Sequence, residues 1–348
     1  MSTPFEIKSY AARREALMKL MGDRAVGLFV APPELLRNGD SHYPFRQSSD
    51  LLYLTGFAEP ESALVLVPGA AKEKVILFVR PRDKEREIWD GRRAGPEGAV
   101  KDFGVDAAYL WSELDTRLPE LLAKKDDLYY GLGVMPEIDA KITGALGRMR
   151  LYERRLGPAP RRVVDPRVSL HELRLKKSAE EVAQLERAGK ITGEAHVAAM
   201  KAAKPGAHEY ELQAAVEYAF KRHGATSGYT SIVGAGRNAT ILHYIENDAK
   251  LQAGDLVLID AGAELDGYTA DVTRTFPCGG SFTPARRKLY EAVLAAQEAA
   301  IAMTRVGTTI DQIHEKTVEL LTEGMVANGL LEGPASARTY SSLSARPA

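Results

Sequence analysis

Two carboxylates, Asp260 and Asp271, stand in a stretch that otherwise reads as a β-hairpin. The first arm, Leu256-Val257-Leu258-Ile259-Asp260-Ala261, is apolar and β-branched. The second, Tyr268 to Thr275, alternates, and Asp266-Gly267 between them is a strong turn signal. Two registers are open. If Leu265-Asp266 is the two-residue turn, the aspartates sit directly opposite each other. If Asp266-Gly267 is the turn, Asp271 faces Gly262 and Asp260 is its diagonal neighbour. In both registers the carboxylates share a face, with Cβ atoms roughly 5 Å apart when opposite and roughly 7–8 Å when diagonal. Like charges this close are destabilising unless a cation or a shared proton lies between them. The apolar first arm predicts burial, which makes an unpaired charge costlier. The chemistry offered is a hard, oxygen-liganded metal ion. The competing reading is two solvated aspartates on an edge hairpin, with Arg274 as a partner.

The chain around this pair has 348 residues, a length that predicts two domains. A net charge of −1, with 27% charged residues, leaves no global field to draw in nucleic acid or an anionic membrane. No apolar run approaches the length of a membrane-spanning helix, and the N-terminus lacks a signal core. The single cysteine, Cys278, excludes an internal disulfide and a cysteine zinc cage. It is compatible with a reducing cytoplasm, the expected location.

The first half mixes helix and strand: a helix over Tyr10–Met21, strands over Ala25–Ala31, Ala63–Val67 and Lys74–Val79, and further elements to Arg162. The aromatics between His42 and Phe57 are expected in a core, and Ile88-Trp89-Asp90-Gly91-Arg92-Arg93 in a turn with stacked arginines. Ser178 and Glu181 form a capping-box signature for a helix running to Ala203, halted by Lys204-Pro205-Gly206. A second helix covers Glu209–Arg222. Strands are predicted over Gly228–Val233, Ala239–Tyr244, Leu256–Ala261 and Tyr268–Phe276. Gly234-Ala235-Gly236-Arg237-Asn238 lacks the third glycine of a dinucleotide loop. Helices over Thr283–Met303 and Thr309–Ala327 repeat the earlier pair, with Arg305 and Gly307 standing 101 residues after Lys204 and Gly206. Residues 335–348 have no periodicity and are expected to be disordered.

Several of these strings resemble one family. Ile241-Leu242-His243-Tyr244 with Glu246-Asn247, upstream of Asp260 and Asp271 in a Val-Leu-Ile-Asp-Ala-Gly-Ala hairpin, is similar to metallopeptidases of the creatinase, or pita-bread, fold. Tyr43-Pro44-Phe45-Arg46-Gln47-Ser48-Ser49-Asp50 with Tyr53, Thr55, Gly56 and Phe57 resembles the N-terminal domain of Xaa-Pro aminopeptidases (aminopeptidase P). Trp89 with Gly91-Arg92-Arg93 fits the same subfamily. The resemblance implies an α/β (α+β) chain. Residues 1–165 would form a mixed-sheet N-terminal domain, 166–334 the first part of a pita-bread catalytic domain, and 335–348 an aberrant tail. It implies removal of the residue preceding proline from proline-containing peptides, through water activated by two divalent ions, usually Mn²⁺. Asp260 would match the aspartate holding one ion, Asp271 the aspartate bridging both, and His243 the histidine near the scissile bond. Homo-oligomers through the N-terminal domain are expected by the same analogy.

In the family the other ligands are a histidine and two glutamates from the second repeat. Here His314 is the sole histidine after Asp271, and it lies in a predicted helix. The expectation is a C-terminally truncated chain, through a frameshift or a gene-model error, with weak or absent Mn²⁺ binding, negligible peptide hydrolysis and a poorly soluble second domain. The alternatives are a prolidase-like Xaa-Pro dipeptidase and a non-catalytic binding protein on the creatinase fold.

Overall fold

The computed structural model describes residues 5–332 and divides into two compact units with the boundary between Val182 and Ala183. The tail predicted over 335–348 lies outside the described residues.

In the first unit, β1 (Ala25–Val30) lies at the centre of a mixed sheet. A short hairpin of β2 (Leu36–Asn38) and β3 (Ser41–His42) stands apart from it. With β4 (Ala63–Leu66), β5 (Val75–Val79), β6 (Ala107–Leu110), β7 (Asp127–Tyr129) and β8 (Arg162–Val164), the order is β6-β5-β4-β1-β7-β8. The β1/β4 and β4/β5 pairs are antiparallel and the outer pairs parallel. Continuous apolar runs predict strands covered on both faces, and both are covered. Phe29, Leu64, Leu66 and Leu77 enter one core cluster, and Val26, Leu28, Val65 and Phe78 the other. Phe57 is buried and Phe45 and Tyr53 pack against the first cluster, so these aromatics are core residues, while Tyr43 is exposed. The Trp89 stretch differs from expectation. Its first three residues end a helix, Lys84–Asp90, which Asp83 caps by accepting from the Glu85 and Arg86 amides and whose first turn is acidic, while Gly91-Arg92-Arg93 follow as loop. Trp89 is 86% exposed, and Arg93 pairs with Asp90 at 2.8 Å.

The helix Ala179–Ala202 begins in the first unit and continues into the second; it opens on the predicted capping box, the Glu181 amide donating to Ser178 Oγ at 3.3 Å and the Ser178 amide to Glu181 Oε2 at 2.9 Å. The helices Glu209–Arg222, Pro284–Met303 and Ile310–Ala327 stand where predicted, the last two capped by Thr283 and Thr309. The two helix-to-helix connections adopt the same turn. Gly206 and Gly307 both have φ +94°, and Ala207 donates to the Lys204 carbonyl as Thr308 does to that of Arg305. This is the internal repeat read from the sequence.

Between the helical pairs run β9 (Thr226–Ser227), β10 (Ile232–Ala235), β11 (Leu256–Ala261), β12 (Ala263–Leu265), β13 (Tyr268–Thr269) and β14 (Val272–Pro277). They form two three-stranded sheets, β10-β11-β14 and β13-β12-β9. Ala188, Ala195 and Ala199 of the first helix pack with Val257, Ile259 and Ala261 of β11 in one core cluster. The strand predicted over Ala239–Tyr244 does not form. Asn238–Thr240 make a 3-10 turn, whose Thr240 hydroxyl donates to the Arg237 carbonyl at 2.8 Å, and the chain continues as an exposed loop. The alternation there imitates a strand, but Ile241 and Leu242 find no face to bury against.

Candidate metal centre

The hairpin turn is Asp266-Gly267, with φ of +53° and +83°, the two positive values of a type I′ turn. Leu265 pairs with Tyr268, and beyond the turn Ala261 pairs with Val272 and Asp260 with Thr273. The second of the two open registers is therefore the real one: Asp271 faces Gly262, and Asp260 is its diagonal neighbour.

The arms are not continuous strands. At Gly262 on one side and Ala270-Asp271 on the other the hairpin passes from one sheet to the next. Backbone groups freed by this break find other partners. The Gly262 carbonyl accepts from the Gly228 amide at 2.9 Å, and the Ala263 amide donates to Thr192 Oγ1 at 2.9 Å. The arms also approach so closely that a Cβ on Gly262 would sit 1.7 Å from the Ala270 carbonyl oxygen.

One face of the helix Ala179–Ala202 holds this structure in place through residues four apart, Gln184, Ala188, Thr192 and His196. Gln184 Nε2 donates to the Leu265 carbonyl at 3.1 Å and to Asp266 Oδ2 at 2.9 Å, fixing the turn. His196 is buried beside the backbone of Ala261 and Val272. Burial pushes its pKa down, against the smaller opposing pull of those backbone groups.

The two aspartates meet at a residue that the sequence did not single out. The Tyr229 hydroxyl lies 2.5 Å from Asp260 Oδ1 and 3.0 Å from Asp271 Oδ1. A phenol has one proton to donate. Three oxygens thus share a single hydrogen, and one carboxylate contact lacks a donor of its own. Burial, reinforced by both carboxylates, drives the Tyr229 pKa far above the ordinary phenol range. The phenol therefore stays protonated and neutral, and the two negative charges remain uncompensated. The arrangement fits a divalent cation: the donors are all oxygen, as hard ions prefer.

Arg274 does not neutralise the pair. It stands opposite Ile259, on the other face of the hairpin, and donates to the Thr273 carbonyl at 2.8 Å. Nor is the strand buried on both faces. Val257, Ile259 and Ala261 enter the core, while Leu256, Leu258 and Asp260 are half-exposed. His243 lies on the exposed loop after the 3-10 turn. Among the described residues no group of three or more His, Cys, Asp or Glu is arranged to hold a metal, so His243 does not join the aspartates in one.

Comparison with known proteins decides the lineage. The model for metallopeptidase family M24 matches residues 183–339, and that for the aminopeptidase P N-terminal domain matches residues 10–129. The chain is 43% identical to the Xaa-Pro aminopeptidase of Escherichia coli K12 over 328 residues, covering 94% of this chain and 74% of the relative. It belongs to the Xaa-Pro aminopeptidase family. The Xaa-Pro aminopeptidase of Haemophilus influenzae is 40% identical, over 94% of this chain and 74% of its own. Among solved structures of the family, Pseudomonas aeruginosa aminopeptidase PepP superposes with a TM-score of 0.93 at 44% identity, covering 95% of this chain and 75% of that one. A zinc-substituted Escherichia coli aminopeptidase P in complex with product gives 0.92 at 42% identity, over 95% and 76%. The chain thus spans about three quarters of the length of these family members.

The shared proton makes a prediction for the metal-free protein. Y229F is expected to lower stability in urea by about 0.5–1.5 kcal/mol, the net worth of a hydrogen bond whose acceptors, Asp260 and Asp271, keep some access to water. Added Mn²⁺ should recover part of the loss. An unchanged unfolding midpoint would show that the phenol does not hold the carboxylates together.

Proposed function

We propose that these residues serve a metal-dependent aminopeptidase that releases the N-terminal residue of peptides carrying proline in second position. The observation carrying this reading is the convergence of Asp260 and Asp271 on one phenol oxygen, in a chain 43% identical to a Xaa-Pro aminopeptidase. Asp260 and Asp271 would be the residues of this chain that hold the divalent ions, and their oxygen donors favour Mn²⁺ over softer metals. Such ions, when bound, activate water and polarise the peptide carbonyl. Tyr229 orients both carboxylates towards the same space. His243, exposed on its loop, binds the peptide or moves a proton at the scissile amide. The match to the aminopeptidase P N-terminal domain supports an aminopeptidase over a prolidase-like dipeptidase. By family analogy the protein self-associates, and its single cysteine is compatible with a cytoplasmic setting.

The test supplies the length that the relatives have and these residues do not. Residues 1–332 joined to the last quarter of the Escherichia coli relative are expected to release the residue ahead of proline only with Mn²⁺ present. H243A in that fusion should lower kcat by about 10²–10⁴, the range for a proton-transfer group. A folded, Mn²⁺-binding fusion that leaves such peptides intact would overturn the reading.

A further inference from the structure

The segment carrying His243 leaves the end of β10 at Ala235 and returns at Ala249. Its aliphatic side chains face solvent: Ile241 and Ile245 are more than half exposed and Leu242 is 89% exposed. The buried members are Tyr244 and Asn247. Hydrophobic burial therefore does not say where this segment goes. Polar contacts do, and most of them end on one group.

Glu209, the first residue of the helix Glu209–Arg222, is 0% exposed. Its Oε1 accepts from the Ala235 amide at 2.7 Å and from Asn238 Nδ2 at 3.2 Å. Its Oε2 accepts from the Tyr244 hydroxyl at 2.7 Å and the Ala249 amide at 2.9 Å. A carboxylate has about four acceptor sites; here all are used, and the helix N-terminus favours the negative charge as well. The four donors come from the two ends of the segment, its 3-10 turn and the residue next to His243. A second fastening works alongside. Asn247 Oδ1 accepts from the Val233 amide at 2.9 Å, and its Nδ2 donates to the Ser231 carbonyl at 2.9 Å.

We propose that Glu209 is the positioning residue for His243: its buried carboxylate, through Asn238, Tyr244 and the two backbone ends, sets where the histidine stands. Its bearing on catalysis rests on the reading of His243 given above; the structural claim does not. Glutamine has nearly the same shape but offers one acceptor and one NH₂ group. With its NH₂ towards Ala235 and Asn238, two donors meet a donor; turned the other way, the Ala249 amide does, and the Tyr244 hydroxyl must turn its proton to Asp248 Oδ1, 3.2 Å away.

The test is amide hydrogen exchange on the full chain. E209Q should speed exchange in residues 236–249 by about 10–100-fold, while β11 and the helix Glu209–Arg222 change less than about twofold. Y244F, a milder change that removes one donor, should give a smaller increase in the same segment and serves if E209Q fails to fold. Unchanged exchange in 236–249 overturns the proposal, as does loosening spread equally over β11 and the helix. Exchange is read without peptide release. If the reading of His243 fails, H243A in the fusion leaves peptide release unchanged while the exchange result stands; if Glu209 plays no positioning part, H243A still lowers release while E209Q leaves exchange in 236–249 unchanged.

Discussion

Replacing Gly262 with alanine drives Asp271 away from Asp260 and costs roughly 3 kcal/mol, at the upper end for overpacking. The new methyl would stand 1.7 Å from the Ala270 carbonyl and 3.1 Å from the Tyr229 ring. Backbone cannot yield as a flexible side-chain end does. The second arm must therefore shift at the residue before Asp271, and the phenol that both carboxylates share must shift with it. Urea unfolding should show the loss, and the stabilisation by Mn²⁺ should vanish with it. G193A is the control. Gly193 lies inside the helix Ala179–Ala202 with open space where a Cβ would go, so alanine there is expected to add about 0.5–1 kcal/mol. Equal midpoints for G262A and the parent would refute the close approach of the arms.

Substitution of Asp271 is expected to change sign with metal. Without metal, D271N removes one of two like charges on a shared face and should raise stability by about 0.2–1 kcal/mol. With metal the order reverses. Two carboxylates are a sparse donor set beside the six or more oxygens that hard divalent ions take, so the 348 residues alone should bind Mn²⁺ no tighter than about 1 mM. At ten times that concentration the parent gains about 1.4 kcal/mol by linkage and D271N gains nothing. Calorimetric titration reads the same contrast. Micromolar binding by this chain, or binding that survives D271N, would mean that the two aspartates are not where the ion sits.

How much of this was legible beforehand depended on which forces were local. Helices whose ends are written in nearby side chains, such as those opening at Ser178, Thr283 and Thr309, stand within a residue of expectation. Asp266-Gly267 announced its turn for the same reason, since few other pairs accept two positive φ values. The register was not decidable, because two turn choices kept the aspartates on one face. The false strand over Ala239–Tyr244 shows the limit of periodicity: alternation marks a strand only where a face exists to receive it. The helix ending at Trp89-Asp90 stands where a turn is expected, although Asp83, Glu85 and Glu87 mark its start. Tyr229 and Glu209 could not have been found. Their roles come from residues 31 and 42 positions from Tyr229, and 26 to 40 from Glu209, brought together by the fold. Family resemblance supplied His243, whose surroundings alone would not mark it.

The fastening of the His243 segment has a consequence for temperature. Opening residues 236–249 breaks hydrogen bonds and wets polar groups, but exposes little apolar surface beyond the Tyr244 ring. Polar hydration lowers the heat capacity where apolar hydration raises it. The heat capacity of that opening should therefore be near zero, and its free energy close to a straight line in temperature. The alanine- and valine-lined core beneath β11 follows a dome instead and weakens on cooling. On cooling, the free energy that fastens the histidine loop should change in a near-straight line while that of the core beneath the sheet curves downwards.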